Sequence, residues 1–375
     1  MSATDQQDQD LEQDTTSWSE YPFLLLKGFL MGSADIVPGV SGGTMALIVG
    51  IYGRLIDAIK SFDVGFFKRF LTFKFKAALR DVHWRFMVML LSGMFCAILF
   101  FTKVVPLQIY MFTDPELVFG LFFGLIVGSI FVLAKAIDGF NWMHGLMILI
   151  GAAIGFWVVT LVPTDTPESP LFVFLSGSIA ICAMILPGIS GSYLLLILRK
   201  YDFILSQIGK LGGAETAMAL LTLLPFFIGA AVGLALFSRL LSWLLHRYEG
   251  KTLAVLIGFL IGSLYVIWPY QNRTYQEITA KQQVVEYSSQ EAVALRQDPP
   301  SENQPEFRRL GETSVEGGTK KVAILTIKKK LIKSDPYVPY VTIQQAGTKH
   351  FWDGIIGIII GLIMVVGLDY LRSDT

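Results

Sequence analysis

Two apolar stretches of this chain are interrupted in the same way, and the interruption limits its fold more than any other feature. The first reads Ile36-Val37-Pro38-Gly39-Val40-Ser41-Gly42-Gly43 and the second Ile185-Leu186-Pro187-Gly188-Ile189-Ser190-Gly191-Ser192. Pro38 and Pro187 are structural breaks, because proline lacks an amide donor and clashes with the preceding helical turn. The chain around them is 53% hydrophobic and 16% charged, with a mean hydropathy of +0.57. That composition belongs to an integral membrane protein. In hydrocarbon each unpaired backbone group costs several kcal/mol, so a broken helix persists only where it lines a cavity or meets a polar ligand. Two such breaks at matching places in two halves point to the binding site of a transporter.

A bilayer core takes about 20 apolar residues per helix. Full-length spans are expected at 86–105, 117–136, 144–162, 219–244, 252–269 and 351–371. Regions 22–59 and 171–208 divide at their prolines into runs too short to cross. We read each as a re-entrant hairpin of two half-helices; two tilted full crossings are the alternative. The segment holding Lys60, Lys68, Arg69, Lys74, Lys76, Arg80 and Arg85 is cytoplasmic by the positive-inside rule. The acidic loops at Asp114-Pro115-Glu116 and 164–169 lack Lys and Arg and face outward. Continuing the count puts His246–Lys251 and both termini in the cytoplasm and a polar insert, 270–349, in the periplasm. Lys200 and Lys210 then fall on the outer side, against the rule.

The other signals exclude more than they assign. With 30 basic and 30 acidic residues the net charge is zero, so no basic face recruits nucleic acid. Residues 1–20 are acidic and polar, lack the basic start of a signal peptide, and are expected to be a disordered tail. Cys96 and Cys182 lie in apolar segments and are expected in the core. The four histidines show no ligand spacing, so no metal and no cofactor is expected.

The two halves also match beyond the breaks. Tyr52 follows Pro38 at the interval by which Tyr201 follows Pro187. Gly124-Leu125-Ile126-Val127-Gly128-Ser129 parallels Gly258-Phe259-Leu260-Ile261-Gly262-Ser263, and Trp142–Gly151 parallels Trp352–Gly361. The expected fold is therefore an all-α integral membrane protein of two repeats, each a re-entrant helical hairpin plus three transmembrane helices. Repeat 1 covers 21–163, and repeat 2 covers 170–269 plus 350–372. Three crossings per repeat is odd, so the repeats have inverted topology. The insert interrupts repeat 2, and Lys321-Val322-Ala323-Ile324-Leu325-Thr326-Ile327 gives it a strand-like stretch.

Ser41 is a natural N-cap for the helix after the first break. Around it Gly39, Gly42 and Gly43 bare the backbone at a helix N-terminus and Thr44 adds a hydroxyl donor, which favours an anion such as phosphate or carboxylate. Gly188, Ser190, Gly191 and Ser192 repeat the device. Arg54 and Arg199 stand at similar distances beyond the breaks, as phosphate partners or as interfacial anchors. Asp35 precedes the first break, where a carboxylate in apolar sequence suits a coupling-ion site for Na⁺ or H⁺, a partner for a cationic side chain, or a cap on the half-helix backbone. The matching position in the second half is Met184.

The run Ala34-Asp35-Ile36-Val37-Pro38-Gly39-Val40-Ser41-Gly42-Gly43-Thr44, with Leu186-Pro187-Gly188-Ile189-Ser190-Gly191-Ser192, resembles the bacterial polyprenyl-phosphate (undecaprenyl phosphate) translocases of the PopT type. The resemblance runs from about Lys27 to Tyr270 and again over 351–371. It implies a non-enzymatic lipid flippase of the inner membrane that returns undecaprenyl phosphate to the cytoplasmic leaflet, with cation or proton coupling and with membrane lipids as its surroundings. Two other readings fit the residues: a secondary transporter for a small anion, and an intramembrane polyprenyl diphosphate phosphatase. The second needs a nucleophile or base beside the phosphate.

Overall fold

The computed structural model describes residues 16–37, 40–80, 82–105, 107–161, 166–213, 215–302, 304–316, 319–338 and 348–373. A 3₁₀ turn, Trp18–Glu20, leads into α1 (Tyr21–Asp35); α2 (Gly42–Ile48) and α3 (Tyr52–Lys60) follow the first break. Then come α4 (Val64–Leu71), α5 (Phe75–Arg80), α6 (Trp84–Lys103), α7 (Leu107–Thr113), α8 (Pro115–Lys135) and α9 (Trp142–Val159). Next are α10 (Pro170–Ile185), α11 (Gly191–Ile197), α12 (Tyr201–Gly209), α13 (Thr216–Arg247) and α14 (Glu249–Ile267). After it lie β1 (Gln271–Glu286), α15 (Gln290–Gln297), β2 (Glu306–Glu316), β3 (Thr319–Pro336) and α16 (Thr348–Ser373).

Among the described residues six helices, α6, α8, α9, α13, α14 and α16, are long and apolar enough to cross a membrane. The protein is thus a mostly helical, multi-pass membrane protein. Where hydropathy predicts six full spans, each is one helix. Pro225 lies inside α13 without ending it.

The chain forms two compact units, one built on residues up to 105, 124–267 and from 361 onward, the other on 106–123 and 268–360. In the first, three helix pairs pack at close range. Added Cβ atoms at Gly28 of α1 and Gly93 of α6 would strike the carbonyls of Leu90 and Leu25. Gly177 of α10 and Gly229 of α13 stand likewise against Phe226 and Phe174, and Gly151 of α9 and Gly258 of α14 against Val255 and Ile148. Such small-residue seams replace the hydrophobic drive that helices lack in lipid. Both thiols are free; Cys96 lies exposed on α6 rather than in the core, and Cys182 is half-buried on α10.

The link before α6 holds two short helices. The Asp63 side chain caps α4 by accepting from the Phe66 amide at 2.7 Å. Phe70, Leu71 and Phe73 are exposed beside Lys68 and Arg69, a composition suited to a bilayer interface. Ahead of α1, the Glu20 carboxylate meets Arg54 Nη1 at 2.6 Å.

In the second unit the strands form one antiparallel sheet in the order β1-β3-β2. The strand-like stretch of the insert is the central strand, β3. Its Val322, Ala323, Ile324 and Ile327 are buried, as are Phe307 of β2 and Ala292 and Leu295 of α15. The start of α8 meets the start of α16: Gly120 faces the Gly354 backbone and Gly357 the Leu117 carbonyl. Polar contacts flank this seam: His350 Nδ1 lies 3.1 Å from Glu116 Oε2, and Lys349 pairs with Asp114 at 3.2 Å.

Candidate binding site at the paired breaks

At the first break α1 ends on Asp35 and α2 begins at Gly42. Pro38 and Gly39, singled out by the sequence, lie outside the described residues. Ser41 is the N-cap of α2, in extended conformation, and its Oγ accepts from the Gly43 amide at 3.2 Å. Asp35 reaches across the break: its Oδ1 accepts from the Gly42 amide at 2.6 Å. A Cβ at Gly42 would lie 2.6 Å from Asp35 Oδ2, so glycine is what lets the carboxylate reach that amide. Asp35 is exposed, while the whole of Ser41–Leu47 is buried.

At the second break α10 ends at Ile185, with Leu186 extended as its C-cap. Pro187 and Gly188 follow, both buried. Gly188 has φ +82, a left-handed conformation that glycine adopts without strain. A Cβ there would also stand 2.7 Å from the Phe259 carbonyl of α14. Ser190 is the N-cap residue of α11 but makes no capping bond; its Oγ lies 2.9 Å from Ser192 Oγ. The Tyr193 hydroxyl donates to the Val159 carbonyl at 2.8 Å.

The two breaks interlock. Ser41 Oγ donates to the Met184 carbonyl at 3.3 Å, and the Tyr52 hydroxyl donates to the Ile185 carbonyl at 3.1 Å. The Gly188 amide donates to Thr44 Oγ1 at 2.8 Å. Gly43 presses against the same corner, where a Cβ would meet the Ile185 carbonyl at 2.6 Å. Hydroxyls of the first half therefore satisfy backbone groups that the end of α10 and the second break leave open. Tyr52 is a member of this site that the sequence marked only as a repeat position; its matched interval to Tyr201 was the available signal.

The tips differ in their free donors. In the first, the Gly42 and Gly43 amides are taken up by Asp35 and Ser41. In the second, the first-turn amides of Gly191, Ser192 and Tyr193 have no partner among the described residues. Met184 stands three residues before Pro187, as Asp35 stands before Pro38, so the second tip has no carboxylate at that position.

The basic residues lie elsewhere. Arg54 donates to Glu20 and to Thr16 Oγ1, each at 2.6 Å, and stacks over Phe86 at 4.7 Å from the ring centre. Its guanidinium holds the Glu20 carboxyl below the ordinary carboxylate range, against the opposing push of burial. Arg199 is exposed, with φ +50. Lys200, which the charge count put on the outer side, is only 2% exposed: its Nζ donates to the Thr166 carbonyl at 2.8 Å beside Phe172 and Phe203. Among the described residues no cluster of His, Cys, Asp and Glu is arranged to hold a metal ion.

Comparison with known proteins gives this geometry a context. Residues 31–285 match the family described as undecaprenyl phosphate translocase-like. A protein of Vibrio cholerae serotype O1, named polyprenyl-phosphate transporter, is 37% identical over 246 residues, covering 66% of this chain and 77% of that protein. A Staphylococcus aureus protein with the same name is 33% identical over 258 residues, covering 65% of this chain and 85% of its own length. No solved structure matches the chain.

Proposed function

The chain belongs to the undecaprenyl phosphate translocase-like family, and we propose that it carries undecaprenyl phosphate, or a similar polyprenyl phosphate, across the bacterial inner membrane to the cytoplasmic leaflet. Both relatives are named for polyprenyl phosphate transport, which supports the lipid and the process. The mechanism proposed is alternating access between two re-entrant hairpins whose tips are the paired breaks. The observation that carries it is the interlock, in which Ser41, Thr44 and Tyr52 bond to Met184, Gly188 and Ile185. Backbone and hydroxyl groups so placed can exchange partners with a phosphate, and the three unpartnered amides of the second tip supply donors for it.

The helix seams support two inverted repeats. Exchanging the halves carries the α1–α6 seam onto α10–α13, and the α9–α14 seam onto α16–α8. Three crossings in each repeat then reverse its direction, which places related tips on opposite sides of one site. In this arrangement both termini are cytoplasmic and the insert 270–349 is periplasmic.

The substrate sets the energetic problem. Moving a phosphate charge into hydrocarbon carries an idealised cost of order 20 kcal/mol, while the prenyl chain is at home there. Site donors therefore have to replace the water around the head group alone. A phosphate monoester bears about −1.5 to −2 charge. Carrying it inward against a negative interior costs about 2.3 kcal/mol per charge per 100 mV. A proton or Na⁺ at Asp35 offsets that cost and also neutralises the carboxylate nearest the first tip. Neutralisation loosens its hold on the Gly42 amide and frees that donor for phosphate.

The test is direct. Purified protein in liposomes should speed the passage of a labelled polyprenyl phosphate between leaflets, and short prenyl phosphates should compete where inorganic phosphate does not. No acceleration over protein-free liposomes, with or without Na⁺ or pH gradients, refutes the proposal.

A further inference from the structure

In the first unit a cavity of about 580 Å³ opens between α9, α13 and α14. Its walls are apolar, with Leu241 and Leu244 on α13 and Val255 and Phe259 on α14. One end reaches Leu186, the residue that closes α10 at the second break, and Phe259 there backs Gly188. The other end is Lys251, in the first turn of α14. From Lys251 to Phe259 is eight helical steps, about 12 Å at 1.5 Å per residue. Half of a hydrocarbon core about 30 Å thick is about 15 Å. The groove thus runs roughly the depth of one leaflet, from a charged rim to the broken helix.

The rim is basic. Lys251 is exposed, its Nζ lies 5.8 Å from the centre of the Tyr248 ring, and among the described residues no carboxylate pairs with it, Glu249 of the same turn included. The neighbouring end of α13 carries Arg247 and His246, and two side chains of α3 meet it: Lys60 Nζ lies 3.4 Å from Ser242 Oγ, while Asp57 accepts from the same hydroxyl at 2.8 Å and lies 3.8 Å from His246 Nε2, which leaves Lys251 and Arg247 as the cations of the rim. The groove therefore opens on the side where the basic segment 60–85 begins. An apolar slot one leaflet deep with an unpaired cation at its rim fits a lipid with one chain and an anionic head. A diacyl lipid would leave its second chain outside.

We infer that this groove is a docking site for polyprenyl phosphate in the leaflet next to the basic segment, with the phosphate at Lys251 and the first isoprene units along α13 and α14. The inference rests on the transport reading above and adds the place where the lipid waits before or after its passage. From there the prenyl chain already points at the second break.

The experiment uses the full-length protein in nanodiscs of phosphatidylethanolamine and phosphatidylglycerol, with a polyprenyl phosphate carrying a diazirine on its second isoprene. After irradiation, adducts should fall within 237–244 and 251–259. Excess unlabelled polyprenyl phosphate should suppress them about tenfold, and an equal excess of phosphatidylglycerol should not. Lys251→Glu should lower labelling about tenfold with unchanged thermal unfolding, and Lys251→Arg should restore it. Adducts elsewhere, equal suppression by phosphatidylglycerol (an ordinary bilayer lipid in the groove), or full labelling of Lys251→Glu overturns the inference. The same preparations enter the liposome assay. Transport with an unlabelled groove overturns the docking site and leaves the transport reading standing; a labelled groove without transport overturns the transport reading and leaves a polyprenyl phosphate site.

Discussion

Replacing Asp35 by Asn separates the two tasks that the proposed mechanism gives this side chain. Asparagine keeps an acceptor for the Gly42 amide, now held at 2.6 Å, but removes the charge. A phosphate at the tips would bring one of its charges within about 4 Å of the carboxylate. At an effective dielectric of 20, unit charges at that distance repel by about 4 kcal/mol, which is about a thousandfold in affinity. Asp35→Asn should therefore bind polyprenyl phosphate more tightly at neutral pH, by as much as that factor, and its transport should stop responding to an imposed pH or Na⁺ gradient. Net transport should slow, because release no longer follows loss of the coupling ion. Asp35→Ala removes the cap as well, and a lost N-terminal cap costs about 0.5–2 kcal/mol. The alanine variant should therefore lose thermal stability where the asparagine variant keeps most of it. The assays are equilibrium binding of a fluorescent polyprenyl phosphate at fixed pH, and leaflet accessibility in liposomes under each gradient. Wild-type affinity together with a wild-type gradient response in Asp35→Asn would sink the coupling argument and leave Asp35 as a cap alone.

Three further outcomes are expected. Thr44→Val leaves the buried Gly188 amide without an acceptor, at about 1–3 kcal/mol, so thermal unfolding in detergent should shift down while Thr44→Ser stays near wild type. Gly188→Ala combines left-handed strain of about 1–2 kcal/mol with a contact 2.7 Å from the Phe259 carbonyl; it should lower Tm and yield, whereas Gly53→Ala, with open space around it, should not. The Thr113 hydroxyl and then Lys349 hold the Asp114 carboxyl below its ordinary value of 3.8, against the push of burial. A depressed carboxylate stabilises above its ordinary value and loses that contribution as pH falls through the lowered one, so Lys349→Gln should lower Tm at pH 7 and its gap to wild type should close below pH 3.8.

Sequence was most informative where one local rule decides. The six long helices follow from uninterrupted apolar length, and Ser41 as a cap follows from a hydroxyl placed before bare glycines. The strand at 321–327 follows from β-branched content. The second break shows the limit of such rules. Ser190 matches Ser41 in type and place, yet it turns to Ser192 and caps nothing. Whether a serine caps its helix or bonds a neighbour depends on packing that a pattern does not carry. The partners of Ser41, Thr44 and Tyr52 lie 143, 144 and 133 residues away in the chain, so their bonds were not legible at all. The burial of Lys200 was not legible for a related reason: loop charges count a lysine as solvated, and here a carbonyl and two phenyl rings receive it.

The departure from symmetry has a physical consequence for transport. If both breaks carried the same groups, both tips would hold phosphate equally and the site would have no built-in means of release. Asp35 against Met184 removes that equality. One tip occupies its own amides with a carboxylate that a proton or cation can neutralise, while the other leaves three amides open. In the proposed mechanism a head group rests on the open tip at any time and gains the closed tip's donors only when Asp35 is neutralised. That mechanism ties binding at full strength to the coupling ion, and predicts that departure of the ion restores the repulsion that expels the phosphate. Installing Asp at position 184 should cap the second tip in the same way and close its donors. In this scheme Met184→Asp should weaken polyprenyl phosphate binding at neutral pH and regain it on acidification, measured by the same fluorescent-lipid titration. Unchanged affinity across that range would mean that the open amides of the second tip do not meet the phosphate.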